Sequence, residues 1–290
     1  MSSPAWRSRV LAVQEHVRAH VQAPLDLPAL AAVAGASRFH FARVFKAETG
    51  ETLNHFVRRA RLERAVKLMQ SRPERPLVEI AIESGFGSAS DFSRVFRQHF
   101  GTAPSAWDRV SVLREASLPG FEDGLAAARA TCPPLVPVVR DHAAVRLAYV
   151  RIATPFMDVS ILDEGYSVLC DWFDRRGLDW RTASLIGWSW DQPETTPLDK
   201  VRFDLGFALP DTVDASGAVR EQRFPAMASA DVHVDGPLAW VALAWEELYE
   251  RWLPSSGREP ADLPSLKRFR RRPDELGWRT LDVDCCIPLS

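Results

Sequence analysis

Apolar side chains recur every three or four positions from the start of the chain, and this spacing predicts helices up to about Val112. Val10, Val13, Val17 and Val21 form one stripe, which Pro24 ends. Residues 27–34 read as a short helix, Gly35-Ala36 as a turn, and Ser37 as the cap of a helix running to about Ala47. A longer helix covers 53–70, with Phe56, Val57, Ala60, Leu62, Ala65, Val66 and Met69 as its apolar side; Pro73 and Pro76 break it. A short helix over 78–83 follows, then the turn Ser84-Gly85-Phe86-Gly87, the cap Ser88 and a helix to about Phe100. Pro104-Ser105-Ala106-Trp107 opens a closing helix.

This stretch says the same thing twice. Phe41-Ala42-Arg43-Val44-Phe45-Lys46, closed by Gly50, returns 51 positions later as Phe92-Ser93-Arg94-Val95-Phe96-Arg97, closed by Gly101. A repeated unit means a repeated structural element. Helix, Gly-containing turn and a second helix with a basic stripe describe a helix-turn-helix, present in tandem.

Residues 115–135, rich in Pro and Gly, read as a linker with one short helical piece. Strand patterns then occupy 136–139, 145–151, 185–190, 201–209, 227–234 and 280–287, with a short strand near Phe269. Amphipathic helices occupy 159–176 and 238–252. Strand-helix-strand-strand, written twice, predicts an α+β domain of two related halves with helices on one face of a largely antiparallel sheet. The chain is therefore multidomain: an all-α domain over 1–114, the linker, and the α+β domain over 136–290.

Charge sharpens this division. The net charge of −2 hides 17 Lys and Arg against 11 Asp and Glu in residues 1–115, and 19 against 27 in the remainder. A basic first third fits nucleic-acid binding confined to that part. Cys132, Cys170, Cys285 and Cys286 show no metal-binding spacing and read as small apolar residues of a reducing compartment. His16 and His20 have the i, i+4 spacing of a metal pair, but no third ligand is near in sequence, so neither a metal nor a cofactor is expected. No signal peptide opens the chain, and no apolar run of about 18 residues is present, so no membrane partner is expected and the location reads as cytoplasmic.

Residues 8–109 resemble the AraC/XylS family of transcription regulators. The first unit matches through Leu30-Ala31, Gly35, Ser37, Phe41, Arg43, Phe45-Lys46, Thr49-Gly50 and Arg61-Leu62 with Ala65. The second matches through Ile80-Ala81, Gly85-Phe86, Ser88, Ser90, Phe92-Ser93-Arg94, Phe96, Gly101 and Pro104-Ser105; Asp108 stands where an Arg is usual. The resemblance implies recognition helices that enter two adjacent major-groove segments of double-stranded DNA, roughly 34 Å apart. The phenylalanines read as core. Arg43 and Arg94, shared by both copies, are each suited to a guanine. Base discrimination falls to the residues that differ: Arg38, Phe39 and Ala42 in one copy, and Ala89, Ser90, Asp91 and Ser93 in the other. The first helix offers two arginines, so it is expected to set most of the base preference. Lys46, Arg58, Arg59, Arg97 and Ser105 read as phosphate contacts.

Residues 136–290 resemble the GyrI-like effector-binding domain. The match runs through Gly187-Trp188-Ser189-Trp190-Asp191-Gln192-Pro193, Thr196-Pro197, Arg202-Phe203-Asp204, Trp252-Leu253-Pro254-Ser255-Ser256-Gly257, Pro264 and Ile287-Pro288-Leu289. The resemblance implies a cleft between the two halves that takes amphiphilic, often cationic aromatic molecules. Trp188 and Trp190, Phe207, Trp245, Lys267 and Phe269 are the candidate effector contacts, while Trp172 and Trp252 read as packing residues. Lys267 occupies the position at which the family places a Glu, and Phe269 replaces the Tyr two residues on. A lysine repels cations. Either the pocket takes neutral or anionic small molecules, or the domain has exchanged sensing for protein contacts, with RNA polymerase one such partner. Some GyrI-like domains hydrolyse reactive molecules with that Glu and Tyr. With both replaced, a small-molecule-binding or hydrolase role in its own right is the alternative reading, and no enzyme activity is expected.

Overall fold

The computed structural model describes residues 4–72, 74–107, 121–153, 160–190 and 201–290. The chain separates into two units, Met1–Asp108 and Arg109–Ser290. The expected continuation of a helix beyond Trp107, the first part of the expected linker, and the 191–197 part of the GyrI-like motif lie outside the described residues.

In the first unit, α1 (Pro4–Ala19), α2 (Leu27–Val33), α3 (Arg38–Thr49), α4 (Leu53–Ser71), α5 (Leu77–Glu83) and α6 (Ala89–Phe100) precede a single 3₁₀ turn, Pro104–Ala106. The valine stripe of α1 is buried and packs with Leu30, Phe41, Phe45 and Phe56. The second repeat builds an aromatic stack of its own from Phe86, Phe92, Phe96, Phe100 and Trp107. Asp26, Thr52 and Ser88 cap α2, α4 and α6 by accepting a backbone N–H three residues on. Ser37 precedes α3 in extended backbone but makes no side-chain cap bond, contrary to expectation. Gly50 and Gly101 end α3 and α6 in the left-handed region, at φ 78° and 72°.

Among the described residues the second unit begins with α7 (Phe121–Thr131), the helical piece foreseen within the linker, and Arg129 on it forms a two-pronged pair with Glu246. Eight strands then form one sheet among the described residues: β1 (Val138–His142), β2 (Val145–Ala153), β3 (Leu185–Ser189), β4 (Arg202–Ala208), β5 (Arg220–Phe224), β6 (Met227–Pro237), β7 (Ser265–Phe269) and β8 (Thr280–Pro288). Their order is β1-β6-β8-β7-β3-β4-β2-β5, and every pairing is antiparallel. The halves are β2-α8-β3-β4, with α8 at Ser160–Asp174, and β6-α9-β7-β8, with α9 at Leu238–Glu246. They meet at one seam, β3 against β7. The edge strand β5 was not foreseen. The second helix also differs, because α9 runs through a π-helical turn, Glu247–Trp252, into α10 (Leu253–Ser256). A short α11 (Pro273–Leu276) precedes β8.

Strand pairing assigns side chains to faces, since directly opposed residues point the same way. Helix α8 lays Tyr166, Leu169, Trp172 and Phe173 against the face that carries Val150, Ile152, Phe203, Leu205 and Phe207. Each fully buried side chain of this size contributes about 1.5–3 kcal/mol. The opposite face is buried too, around Tyr149, Trp188 and Phe224, whose rings sit 5.1 and 5.3 Å apart in sequence.

Candidate functional sites

Helix α3 turns Phe41 and Phe45 inward and leaves Arg38, Phe39, Arg43 and Lys46 exposed, with Ala42 partly buried between them. Phe39 is 71% exposed, with the Arg38 guanidinium 4.7 Å from its ring centre. So large an apolar side chain in water suits a surface that contacts something apolar, such as a thymine methyl. Helix α6 buries Phe92, Val95 and Phe96. Its Ser90, Ser93, Arg94, Arg97 and Gln98 line one open depression, and Ala89 and Asp91 lie partly exposed beside it. Gln98 was not among the expected contacts. It stands one position past the repeated motif, and the fourfold step from Arg94 was the available signal.

The two arginines shared by the repeat have different neighbours. Arg94 donates to Asp91 Oδ1 at 2.5 Å, so its charge is partly committed to its own helix. The equivalent of Asp91 in α3 is His40, whose ring packs edge-on against Trp6 at 4.8 Å.

Helix α4 joins the two repeats. Arg61 donates to the carbonyls of Val21 and Ala23, at 3.2 and 3.0 Å, and Arg64 to the carbonyl of Glu83 at 2.9 Å. One connector thus grips the segment after α1 and the end of α5. Gly85, at φ +84°, passes so close that a Cβ there would lie 2.2 Å from the Val21 carbonyl oxygen. Arg59, expected to touch phosphate, is a correction: it is 6% exposed and bridges Glu51 at 2.7 Å and Glu63 at 2.5 Å. Burial pushes the Glu51 carboxyl up, but Arg59 and His55 outweigh it and hold the group below its usual range. Arg58 and Ser105 are exposed, as phosphate contacts must be.

The expected effector residues do not all come together. Trp188 pairs with Leu266 across the β3–β7 seam, whereas Lys267 pairs with Gly187, so the Trp188 and Lys267 side chains lie on opposite faces. Trp188 is 1% exposed and packed against Tyr149 and Phe224. Phe207, with no exposed surface, sits in the core among Tyr166, Phe173 and Trp180. These two are corrected to packing residues. Trp190 is half-buried just beyond the end of β3. Trp172 is buried and donates its indole N–H to the Ser216 carbonyl, and Trp252 packs against the same core.

Lys267, Phe269 and Ser265 do share the helix-covered side of β7. The Tyr249 hydroxyl of the π-helical turn bonds Ser265, and the Trp245 ring centre is 6.3 Å from that of Tyr249. Lys267 Nζ lies 5.2 Å from the centre of the Phe203 ring, which covers Gly187; a Cβ at Gly187 would stand 2.3 Å from that ring. Desolvation by burial pulls the Lys267 ammonium below its usual range, and the Cys285 thiol nearby pushes back. Sequence reasoning missed Tyr249 and Ser265, which come from other elements. This side of β7 brings together one amine, two mutually bonded hydroxyls and aromatic rings.

Comparison with known proteins accords with both units. A helix-turn-helix domain model matches residues 30–109, and a GyrI-like small molecule binding domain model matches 136–290. The regulatory protein SoxS of Salmonella typhimurium is 35% identical over 31% of this chain and 84% of its own length. The transcriptional regulator Rob of the same organism is 34% identical over 32% of either chain. A solved AraC-type DNA-binding regulator from Chromobacterium violaceum is 28% identical, covers 34% of this chain and 88% of its own, and superposes with a TM-score of 0.32. The chain belongs to the AraC/XylS family of DNA-binding transcription regulators and carries a GyrI-like small molecule binding domain at its C-terminal side.

Proposed function

We propose that the protein reads two adjacent major-groove segments of one DNA duplex, α3 taking one and α6 the other. Arg38, Phe39, Ala42 and Arg43 would set base preference, joined by Ala89, Ser90, Asp91, Ser93 and Arg94; Lys46, Arg58, Arg97 and Ser105 would hold phosphates. The observation that supports this reading is the pair of helices with buried phenylalanine backs and exposed basic fronts, joined through α4, whose Arg61 and Arg64 hold the segment after α1 and the end of α5. Because Asp91 engages Arg94 while Arg38 and Arg43 are exposed, α3 carries most of the sequence choice. Binding titrations with single base changes test this: penalties of about 1–3 kcal/mol per base are expected in the α3 half-site and smaller ones in the other. Equal penalties would overturn the assignment.

The second unit regulates the first by binding a neutral or anionic aromatic molecule beside Lys267, with Phe269 and Trp245 as walls. The amine in place of an acid supports this ligand class. Isothermal titration of aromatic acids against lipophilic cations discriminates: tight cation binding refutes the charge argument. A stable complex with RNA polymerase and no small-molecule binding would favour the protein-contact reading instead. The protein acts in the cytoplasm on DNA and catalyses no reaction of its own.

A further inference from the structure

The face of the sheet away from α8 and α9 holds a cluster that neither DNA reading nor the Lys267 side of β7 uses. His142 of β1, Asp231 of β6 and Cys286 of β8 bring Nε2, a carboxylate oxygen and Sγ within 4.8 Å of one another. Asp231 and Cys286 are opposed across the β6–β8 pair, and His142 reaches along β1 to Asp231 Oδ2 at 2.9 Å. We propose that these three side chains form a binding site for a divalent cation of the zinc class.

The donor set points to that class. Imidazole nitrogen, thiolate sulfur and carboxylate oxygen together suit zinc, and a hard, oxygen-seeking cation would not select a sulfur. Zinc holds such atoms at about 2.0–2.3 Å, which places neighbouring ligands roughly 3.3–3.8 Å apart. The His142–Asp231 pair must open slightly and the widest pair must close by about 1 Å, both within the reach of side-chain rotation. Asp231 and Cys286 are 3% and 0% exposed, so water does not compete for them. His142 lies on the edge strand with its side chain 16% exposed, which gives the ion a way in and leaves a fourth position for water.

A supporting contact is in place. Ser229 donates to Asp231 Oδ1, leaving Oδ2 for the ion and fixing the carboxylate plane. Outer contacts of this kind tune metal affinity by about 10–100-fold. In the ion-free state the Cys286 S–H donates to the Asp284 carbonyl at 3.4 Å, a bond given up when the thiolate takes the ion. Cys285, the next residue, points to the other face toward Lys267, so the metal site and Lys267 lie on opposite faces of the sheet.

The full-length chain, stripped with chelator and titrated with cobalt(II), tests the assignment by absorption. One equivalent should produce the intense visible bands of a four-coordinate ion and a thiolate-to-cobalt band in the near ultraviolet, both removed by zinc. Cys286→Ser should abolish the thiolate band, and His142→Ala, on the exposed edge, should weaken binding at least ten-fold with the fold intact by circular dichroism. Cys132→Ser should change neither. Absence of a thiolate band, its loss in Cys132→Ser, or unchanged affinity in His142→Ala would overturn the site.

Discussion

Replacing Gly85 with alanine separates backbone strain from steric conflict. Gly50, Gly85 and Gly101 all have positive φ, at 78°, 84° and 72°, so an alanine at any of them meets the same left-handed penalty of about 1–2 kcal/mol. At Gly50 and Gly101 nothing lies within 4 Å of the added Cβ. At Gly85 the methyl would stand 2.2 Å from the Val21 carbonyl oxygen and 2.9 Å from Arg61 Nε, about 1 Å inside contact with a backbone atom that cannot rotate away. The turn must therefore lift from the end of α1, and the Arg61 bonds to Val21 and Ala23 weaken with it. Hydrogen bonds from a charged group contribute about 1.5–3 kcal/mol each, so Gly85→Ala should lose on the order of 4 kcal/mol against 1–2 for Gly50→Ala. That is a large share of a domain's usual stability of about 5–15 kcal/mol. Urea unfolding of the full chain, followed by helical circular dichroism, reads the difference. Equal losses at Gly85 and Gly50 would refute the close contact between the second turn and the segment after α1.

Three further outcomes follow from charge. Asp91→Asn releases Arg94 and removes a negative charge from the α6 surface, so DNA affinity should rise at low salt and the salt dependence steepen; an unchanged slope of log affinity against log salt would contradict the pairing. Arg59→Met leaves Glu51 and Glu63 close together without their cation and should cost about 3–5 kcal/mol, measured by the same unfolding assay. Because the folded-state pKa of Glu51 is lowered, its stabilisation is present above about pH 4.5 and is lost as pH falls through the folded value, so the Arg59→Met deficit should shrink in acid. Lys267 has the opposite consequence. Its lowered folded pKa means the unfolded chain binds the proton more tightly, so Lys267→Met should raise the melting temperature at neutral pH, and the gain should fade as pH rises toward the ordinary lysine value; a gain independent of pH would point to packing alone.

The repeated helix-turn-helix was legible because each copy keeps phenylalanines at a helical period and a glycine where left-handed backbone is required. The duplicated half of the sheet domain was legible from alternating runs. What stayed hidden was whatever depends on register. Trp188 and Lys267 are separated by nearly eighty residues, and only the pairing of β3 with β7 decides that they part faces; a slip of one residue would have joined them. Strand β5, Arg220 to Phe224, alternates poorly because it is an edge with mostly half-exposed polar side chains. Arg59 reads as a surface cation in sequence, and its burial follows from Glu51 arriving through the loop before α4. The cluster of His142, Asp231 and Cys286 draws on three strands, with no local spacing to announce it.

The clamp on α4 has a consequence for the promoters this protein serves. A 19-residue helix is a rod about 28 Å long, and arginine bonds fix it to the elements on either side. Inserting one base pair between the half-sites would shift the second by about 3.4 Å and turn it by roughly 35° around the duplex, a change this linkage has no slack to follow. On the two-segment reading proposed above, operators can drift in their letters, each at a modest loss of affinity, but the gap between the two words must keep its length.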